Sequence, residues 1–160
     1  MGKIEIYVLS TIEMTDHYVS DINDLLEQLA EKPYKYSKDD ISSIVTQPNL
    51  FTLAAIDKYY DKLIGMVCLK AVETRMFTQN YETGFIGDVV VDENYHCLGL
   101  AEKLMTTLID MAKGLKLAHI SLTSNPNNPK RAAAIKLYEK LGFKLIGQID
   151  GSNYYRLYLK

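Results

Sequence analysis

One stretch of the chain joins a buried strand to a loop and a helix start that could bind a phosphate. Val89, Val90 and Val91 are β-branched and apolar, which favours a strand buried on both faces. Gly99 and Ala101 are small enough to let a ligand approach the backbone closely. The first N–H groups of the following helix lack intrahelical partners and lie at the positive end of its dipole. The junction is therefore suited to a phosphate or pyrophosphate.

The histidines and cysteines are not spaced as metal ligands, so we expect no metal ion. His17 is expected to be an exposed helix residue. His119 falls in a predicted strand, where we expect its ring to be hydrogen-bonded. Cys97 could be a nucleophile activated at a helix N-terminus, but no His–Asp arrangement accompanies it. We expect a loop residue whose backbone binds phosphate, and we expect Cys68 to be a small core residue.

Length and composition predict one soluble globular domain over residues 1–160. The chain is 48% hydrophobic and 24% charged, and no apolar run approaches the roughly 20 residues that span a bilayer. The formal net charge is −2 and no Lys/Arg-rich block occurs, which argues against nucleic acid as the main partner. No secretory signal is recognisable, so we expect a cytoplasmic protein without membrane attachment.

The apolar periodicity predicts the order β α α β β β α β α β β, which indicates an α/β layered domain with a mixed sheet. A loop is predicted over 73–83, and a tight turn over 150–153. The predicted helices cover 15–31, 37–47, 101–112 and 130–141. The predicted strands cover 3–9, 50–56, 63–72, 84–91, 117–123, 143–149 and 154–159. Gly65 is expected to mark a bulge or a close contact.

The loop of the opening stretch resembles motif A of the GNAT superfamily of N-acetyltransferases. That motif has the pattern Arg/Gln-x-x-Gly-x-Gly/Ala, and this chain has His96-x-x-Gly99-x-Ala101. The two small positions match, whereas His96 replaces the usual Arg or Gln. Neutral imidazole offers less charge than guanidinium, so diphosphate binding is expected to be weaker or pH-dependent.

A second segment is similar to motif B of the same superfamily, in which a helix carries Ala-x-x-Leu-Tyr and ends in Gly-Phe. The matching residues are Ala134, Leu137, Tyr138, Gly142 and Phe143. Two motifs in the right order, separated by one predicted strand, are far more specific than either alone. Together with the preceding hairpin, the resemblance covers nearly the whole chain.

The resemblance implies the GNAT fold, with a mostly antiparallel sheet, a splayed parallel pair of strands and about four flanking helices. It implies acetyl-CoA as acyl donor, held where strands 84–91 and 117–123 splay apart. The backbone of 89–91 would bind the pantetheine arm and polarise the acetyl carbonyl, and the loop N–H groups would hold the pyrophosphate. The implied cofactor-binding residues are Val89, Val90, Val91, His96, Cys97, Leu98, Gly99, Leu100, Ala101, Glu102, Asn125, Lys130, Arg131 and Tyr138. Lys130 and Arg131 could equally be solvated.

The resemblance also implies catalytic roles. Tyr138 would be the general acid for the CoA sulfur, because a phenol with a pKa near 10 is close to a thiol near 8.5. Histone-type members carry a Glu where this chain has Phe85. Asp88 is the nearest carboxylate, and its setting is similar to that of glucosamine 6-phosphate N-acetyltransferases, so it is a candidate base or substrate orienter. Glu73 and Glu82 are alternatives.

The sequence therefore predicts an N-acetyltransferase in which a primary amine attacks acetyl-CoA directly. A small amine or amino sugar is the favoured acceptor, and a peptide amine is second. The alternative is a non-catalytic module of the same fold that binds acyl-CoA or a partner, which His96 and Phe85 keep open. The tyrosines of the last strand could line the acceptor pocket or a homodimer interface, or belong to an ordinary edge strand.

Overall fold

The computed structural model describes residues 2–29, 35–73 and 81–160. The strands are β1 (Ile4–Val8), β2 (Leu50–Asp57), β3 (Lys62–Glu73), β4 (Tyr81–Val91), β5 (His119–Ser124), β6 (Lys144–Ile149) and β7 (Ser152–Tyr158). The helices are α1 (Ile12–His17), α2 (Val19–Leu29), α3 (Lys38–Val45), α4 (Leu100–Gly114) and α5 (Ala132–Lys140). Short 3-10 turns occupy Glu93–Tyr95 and Pro129–Arg131.

The strands form one seven-stranded mixed sheet in the order β1-β2-β3-β4-β5-β7-β6. β4 and β5 run parallel, and the described ladder between them covers Thr83–Phe85 and His119–Ser121. The antiparallel pairs include β1 with β2, β2 with β3, β5 with β7 and β6 with β7. The predicted α/β architecture with a single parallel pair is confirmed. β7 lies between β5 and β6, so the interpretation of the last strand as an edge strand is wrong.

Two predicted boundaries differ from the structure. The first predicted helix is two helices, because Tyr18 N–H donates to Thr15 O at 3.1 Å and ends α1 before α2 begins. The last two residues of that prediction lie outside the described part of the chain. The predicted loop over 73–83 is shorter, since β3 extends to Glu73 and β4 begins at Tyr81; residues 74–80 lie outside the described ranges.

The chain forms two compact units, one of residues 1–70 with 87–108 and the other of 71–86 with 109–160. A single domain over the whole chain stays a prediction. In the first unit, α1 to α3 bury apolar residues such as Ile22, Leu25 and Ile41 in one cluster with Ile56 and Met66 of the β2–β3 hairpin. Such amphipathic helices are stabilised mainly by this burial.

Gly65 of β3 lies at a close approach within the first unit. The β2–β3 register shifts beside it, between Ala55 and Ile56. A Cβ at Gly65 would lie 3.1 Å from Leu104 Cδ1 and 3.3 Å from Val90 O. Both parts of the prediction, a bulge and a close contact, are confirmed. A glycine here lets the backbone of β4 and the first turns of α4 pack against β3.

The second unit is held by the β5–β7–β6 ladder and by α5. Gly142 follows Leu141, the C-cap residue of α5, with φ +96°, the left-handed conformation typical of that position. Asp150 and Gly151 both have positive φ, and Ile149 pairs with Ser152, so two residues rather than four make the β6–β7 turn. None of the described helices combines the length and the apolar character that crossing a membrane requires.

Candidate active site

Asp88 interrupts β4 with a left-handed backbone, φ +52°. Side chains alternate across a regular strand, so Ile86, Asp88 and Val90 would share one face. Ile86 and Val90 are buried, whereas Asp88 is exposed, which shows that the alternation breaks at this point. Asp tolerates the left-handed region better than most residues. This irregularity was not predicted, although the Gly87-Asp88 pair within a β-branched run was a signal for it.

The loop after β4 is anchored at its base by Asp92, which is only 3% exposed. Its carboxylate accepts from Asn94 N–H at 2.9 Å and from Lys62 Nζ at 3.1 Å, and its own N–H donates to Ile64 O at 2.8 Å. Burial raises the pKa of Asp92, but the Asn94 N–H and the Lys62 ammonium outweigh it and hold the pKa below its usual value. The loop therefore starts from a fixed, charged point.

Tyr95 provides a second anchor for this loop. Its hydroxyl donates to the buried Asp57 carboxylate at 2.9 Å, and burial followed by that carboxylate raises the pKa of Tyr95 to about 12. Between the two anchors, Glu93 N–H donates to Gln28 Oε1 at 2.9 Å. Residues 92–95 are thus held by three separate elements of the first unit, which pre-organises the residues that follow.

The upper part of the loop, residues 96–99, is exposed. Cys97 and Gly99 both adopt the left-handed region, with φ +64° and +73°. His96 Nε2 donates to Val91 O at 2.8 Å, because a carbonyl oxygen can only accept. The imidazole that replaces Arg or Gln therefore ties the loop back to the end of β4, a contact that sequence patterns did not predict.

α4 begins directly after this loop. Its first helical hydrogen bond runs from Lys103 N–H to Gly99 O at 3.0 Å, so the N–H groups of Leu100 and Ala101 precede the helical ladder. Gly99 has no side chain to cap them, and no heavy atom lies within 4 Å of the position of an added Cβ. The helix thus presents its positive end beside an open, exposed loop, an arrangement that binds anions.

Tyr138 lies on α5 in the second unit and is 3% exposed. Its ring packs 6.0 Å from that of Phe143 and 6.4 Å from that of Tyr155. Burial raises the pKa of Tyr138 to about 12, although the Arg131 charge acts in the opposite direction. Tyr138 is therefore a hydroxyl donor throughout the neutral pH range. Core packing, the alternative to a catalytic role, describes its ring well and leaves the hydroxyl available.

The loop before α5 is shaped by asparagines. Asn125 Oδ1 accepts from Asn127 N–H at 2.9 Å, and Asn128 Oδ1 accepts from Lys130 N–H at 3.0 Å. Lys130 is exposed, and Arg131 is half-buried at the residue that precedes α5. The Asn125 side chain is thus occupied in a turn of its own.

The model of the acetyltransferase (GNAT) family matches residues 12–143, which is most of the chain. The chain belongs to this family. No curated protein matches it at a significant level. Among solved structures, it is 25% identical to a Trypanosoma brucei acetyltransferase, with a TM-score of 0.72 and coverage of 92% of this chain and 96% of that one.

Two more distant structures share the GNAT fold. The PaiA N-acetyltransferase of Thermoplasma acidophilum, solved in complex with coenzyme A, has a TM-score of 0.77 at 16% identity, covering 98% of this chain and 99% of that one. The GNAT domain of S. lividans PAT has a TM-score of 0.80 at 17% identity, covering 99% of this chain and 92% of that one.

The predicted site residues of this GNAT protein fall into two groups. Asp88, the strand end 89–91 and the loop and helix start 96–102 are brought together in the first unit. Asn125, Lys130, Arg131 and Tyr138 belong to the second unit. Among the described residues, no group of three or more His, Cys, Asp or Glu side chains is placed to hold a metal ion.

Proposed function

We propose that this GNAT protein transfers the acetyl group of acetyl-CoA to a primary amine. The observation that carries the proposal is the anchored junction over 88–102, where an exposed loop with two left-handed residues leads into the start of α4 beside the open space at Gly99. Its backbone donors and positive helix end suit the diphosphate of coenzyme A. The coenzyme A complex of the Thermoplasma acidophilum relative supports the same donor.

In this reaction the amine nitrogen attacks the thioester carbonyl carbon, and the carbon–sulfur bond breaks. Backbone groups of 89–91 align the donor and polarise its carbonyl, for which valine side chains are no obstacle. The Val91 carbonyl already accepts from His96, so Val89 and Val90 are left to supply the pantetheine contacts. Tyr138 donates to the departing sulfur, and the proton that the amine loses passes to Asp88 or to water.

The acceptor we favour is a small amine or an amino sugar, with a peptide amine second.

A homodimer through the tyrosines of β7 stays a prediction. Because both edges of β7 are paired, a second copy could contact only its side chains. Sedimentation at micromolar protein concentration measures the oligomeric state, and a single monomeric species would rule out the dimer.

Cys97 allows coenzyme A binding to be tested without an acceptor. Cys97 is exposed, whereas burial raises the pKa of the Cys68 thiol to about 12 despite the Thr52 hydroxyl, so Cys68 stays protonated and inert at pH 8. Iodoacetamide should label Cys97 alone. Desulfo-coenzyme A, which has no thiol, should slow the labelling about tenfold at ten times its Kd, as measured by mass spectrometry.

Protein unfolded in guanidinium is the control, because both cysteines should then react equally fast with and without the analogue. If calorimetry shows the analogue bound while Cys97 reacts at its original rate, the loop is not the diphosphate site.

Replacing Asp88 by Asn tests the proposed base. We expect kcat/KM to fall roughly 100-fold near neutral pH, the usual size of a general-base contribution. The deficit should shrink above the pKa of the amine, because the amine then arrives without its extra proton. Asp150→Asn is a matched control, since Asp150 is also an exposed aspartate, with φ +49°. Equal activity of the two variants at every pH would show that water, rather than Asp88, takes the proton that the amine loses.

A further inference from the structure

Three buried polar atoms in the second unit have no hydrogen-bond partner in the described part of the chain. They are His119 Nδ1, Ser121 Oγ and Arg156 Nε. The expectation that the His119 ring is hydrogen-bonded is therefore not met at Nδ1. Buried polar atoms are paired in the great majority of cases, so three orphans together call for an explanation.

These atoms share one face of the sheet. Ser121 is the cross-strand partner of Arg156, and His119 is the partner of Tyr158. Residues at i and i+2 of a strand point to the same side, as do directly paired residues. The rings of His119 and Tyr158 lie 5.8 Å apart, which confirms the proximity. We call His119, Ser121, Tyr154, Arg156 and Tyr158 the Arg156 cluster.

Arg156 is held between two tyrosines. Its Nη1 donates to Tyr158 Oη and its Nη2 to Tyr154 Oη, each at 3.4 Å, and its Cζ lies 5.8 and 5.7 Å from the two ring centroids. Since these phenol oxygens accept from the guanidinium, their O–H groups remain free to donate elsewhere. The guanidinium is thereby positioned without being neutralised.

No described Asp or Glu forms an ion pair with Arg156. The cluster itself contains no carboxylate, and burial together with Arg156 lowers the pKa of His119. The Ser121 hydroxyl lies near enough to Tyr154 to be the first cause that lowers the pKa of this phenol, and Arg156 is the second, although no hydrogen bond of ordinary geometry joins Ser121 to Tyr154. A half-buried cation that is surrounded by unpaired donors costs free energy unless an anion binds to it.

The cluster borders the end of the β4–β5 ladder. Ser121 is paired with Phe85 in the last described step of that ladder, and Phe85 is 40% exposed. On the opposite face of β7, Tyr155 packs against Tyr138. The proposed reaction takes place where β4 and β5 part, and the last described step of that ladder belongs to the same unit as the Arg156 cluster.

We propose that Arg156, with Ser121 and His119, binds an anionic group of the acceptor, so that the substrate is an amine carrying a carboxylate or a phosphate. This inference rests on the proposed acetyltransferase function and narrows its acceptor class. The planar guanidinium fork matches both anions, and Phe85 with the two tyrosine rings provides apolar walls for the carbon skeleton between the anion and the amine.

Matched acceptor pairs test the inference. β-Alanine is compared with β-alaninamide, and glucosamine 6-phosphate with glucosamine, in a thiol-release assay with acetyl-CoA. The anionic member of at least one pair should have a kcat/KM roughly 10- to 100-fold higher, the value of one charge-assisted hydrogen bond. The pair that shows the preference distinguishes a carboxylate from a phosphate acceptor.

Arg156→Gln should bring the ratio of kcat/KM between the anionic and the neutral acceptor of a pair close to one. The change should come chiefly from a higher KM for the anionic acceptor. Arg156→Lys should restore part of the ratio, because it keeps the charge without the fork. Lys113→Gln is the control, since it removes an exposed positive charge of the same unit from the end of α4 and should leave the ratio unchanged. Thermal unfolding confirms that each variant is folded.

Equal or better transfer to the neutral members, or an unchanged ratio in Arg156→Gln, would overturn the inference and leave the acetyltransferase proposal intact. Absence of transfer to every member would also count against it. Protection of Cys97 by desulfo-coenzyme A then shows whether acyl-donor binding, and with it the proposed function, has failed as well.

Discussion

Replacing Tyr138 by Phe is expected to lower kcat at least about 100-fold while leaving the affinity for acetyl-CoA unchanged. The ring of Tyr138 is packed and only 3% exposed, so Phe keeps the packing and removes only the hydroxyl that we propose donates to the leaving sulfur. Single-turnover measurement of thiol release separates this chemical step from donor binding, which calorimetry with desulfo-coenzyme A reports.

Tyr155→Phe is the matched control for this prediction. Tyr155 is equally buried, belongs to the same aromatic group, and its hydroxyl accepts from Asn153 Nδ2 at 3.3 Å. Its loss should change kcat less than about threefold. Unchanged kcat in Tyr138→Phe would remove Tyr138 from the mechanism. A wild-type protein that binds donor and acetylates no amine would instead favour the non-catalytic module.

The raised pKa of Tyr138 also determines the pH dependence. With a pKa of about 12, the hydroxyl stays protonated up to pH 10 and beyond, so kcat should show no descending limb below about pH 11. Proton transfer from this phenol to a free thiolate near 8.5 is uphill by about 5 kcal/mol. In the proposed mechanism Tyr138 therefore stabilises the departing sulfur by a hydrogen bond, and the released thiolate takes its proton from water.

Replacing Gly99 by Ala is expected to weaken acetyl-CoA binding roughly 10- to 100-fold, the value of one lost charge-assisted hydrogen bond to the diphosphate. Gly99 has φ +73°, and an added Cβ would meet no protein atom within 4 Å. The methyl group would instead occupy the open space where we propose that the diphosphate lies. Calorimetry with desulfo-coenzyme A measures the effect directly.

Gly151→Ala is the matched control, because Gly151 has φ +81° and equally open surroundings in the β6–β7 turn. Each substitution should cost about 1–2 kcal/mol of folding free energy, since Ala disfavours the left-handed region. Both variants should therefore lose similar thermal stability, and only Gly99→Ala should lose affinity. If the two variants bind desulfo-coenzyme A equally well, Gly99 is needed only for the loop conformation and not for donor binding.

The strand, loop and helix at the centre of the site could be predicted because their signals are local. The valine run at 89–91, the apolar stripe of α4 and the Gly142 helix end each depend on residues close in sequence. The start of α3 is likewise local, because Ser37 and Asp40 form a capping box three residues apart.

The features that sequence reasoning missed depend on register and tertiary contact. The left-handed backbone at Asp88 exposes its side chain between the buried Ile86 and Val90, and no periodicity within β4 shows where that happens. The His96 contact with the Val91 carbonyl requires the loop conformation to be known. The Arg156 cluster requires the pairing of β5 with β7, because its members come from strands more than thirty residues apart.

The anchored base of the 92–99 loop has a consequence for how far sequences can diverge here. Asp92 and Tyr95 fix the loop through buried partners, while Cys97 and Leu98 project from it without burial. Substitutions at such exposed positions usually change stability by less than about 0.5 kcal/mol. At position 97, glycine or asparagine would relieve a left-handed backbone. Positions 97 and 98, which the family pattern leaves open, can therefore vary while the loop keeps its anchors.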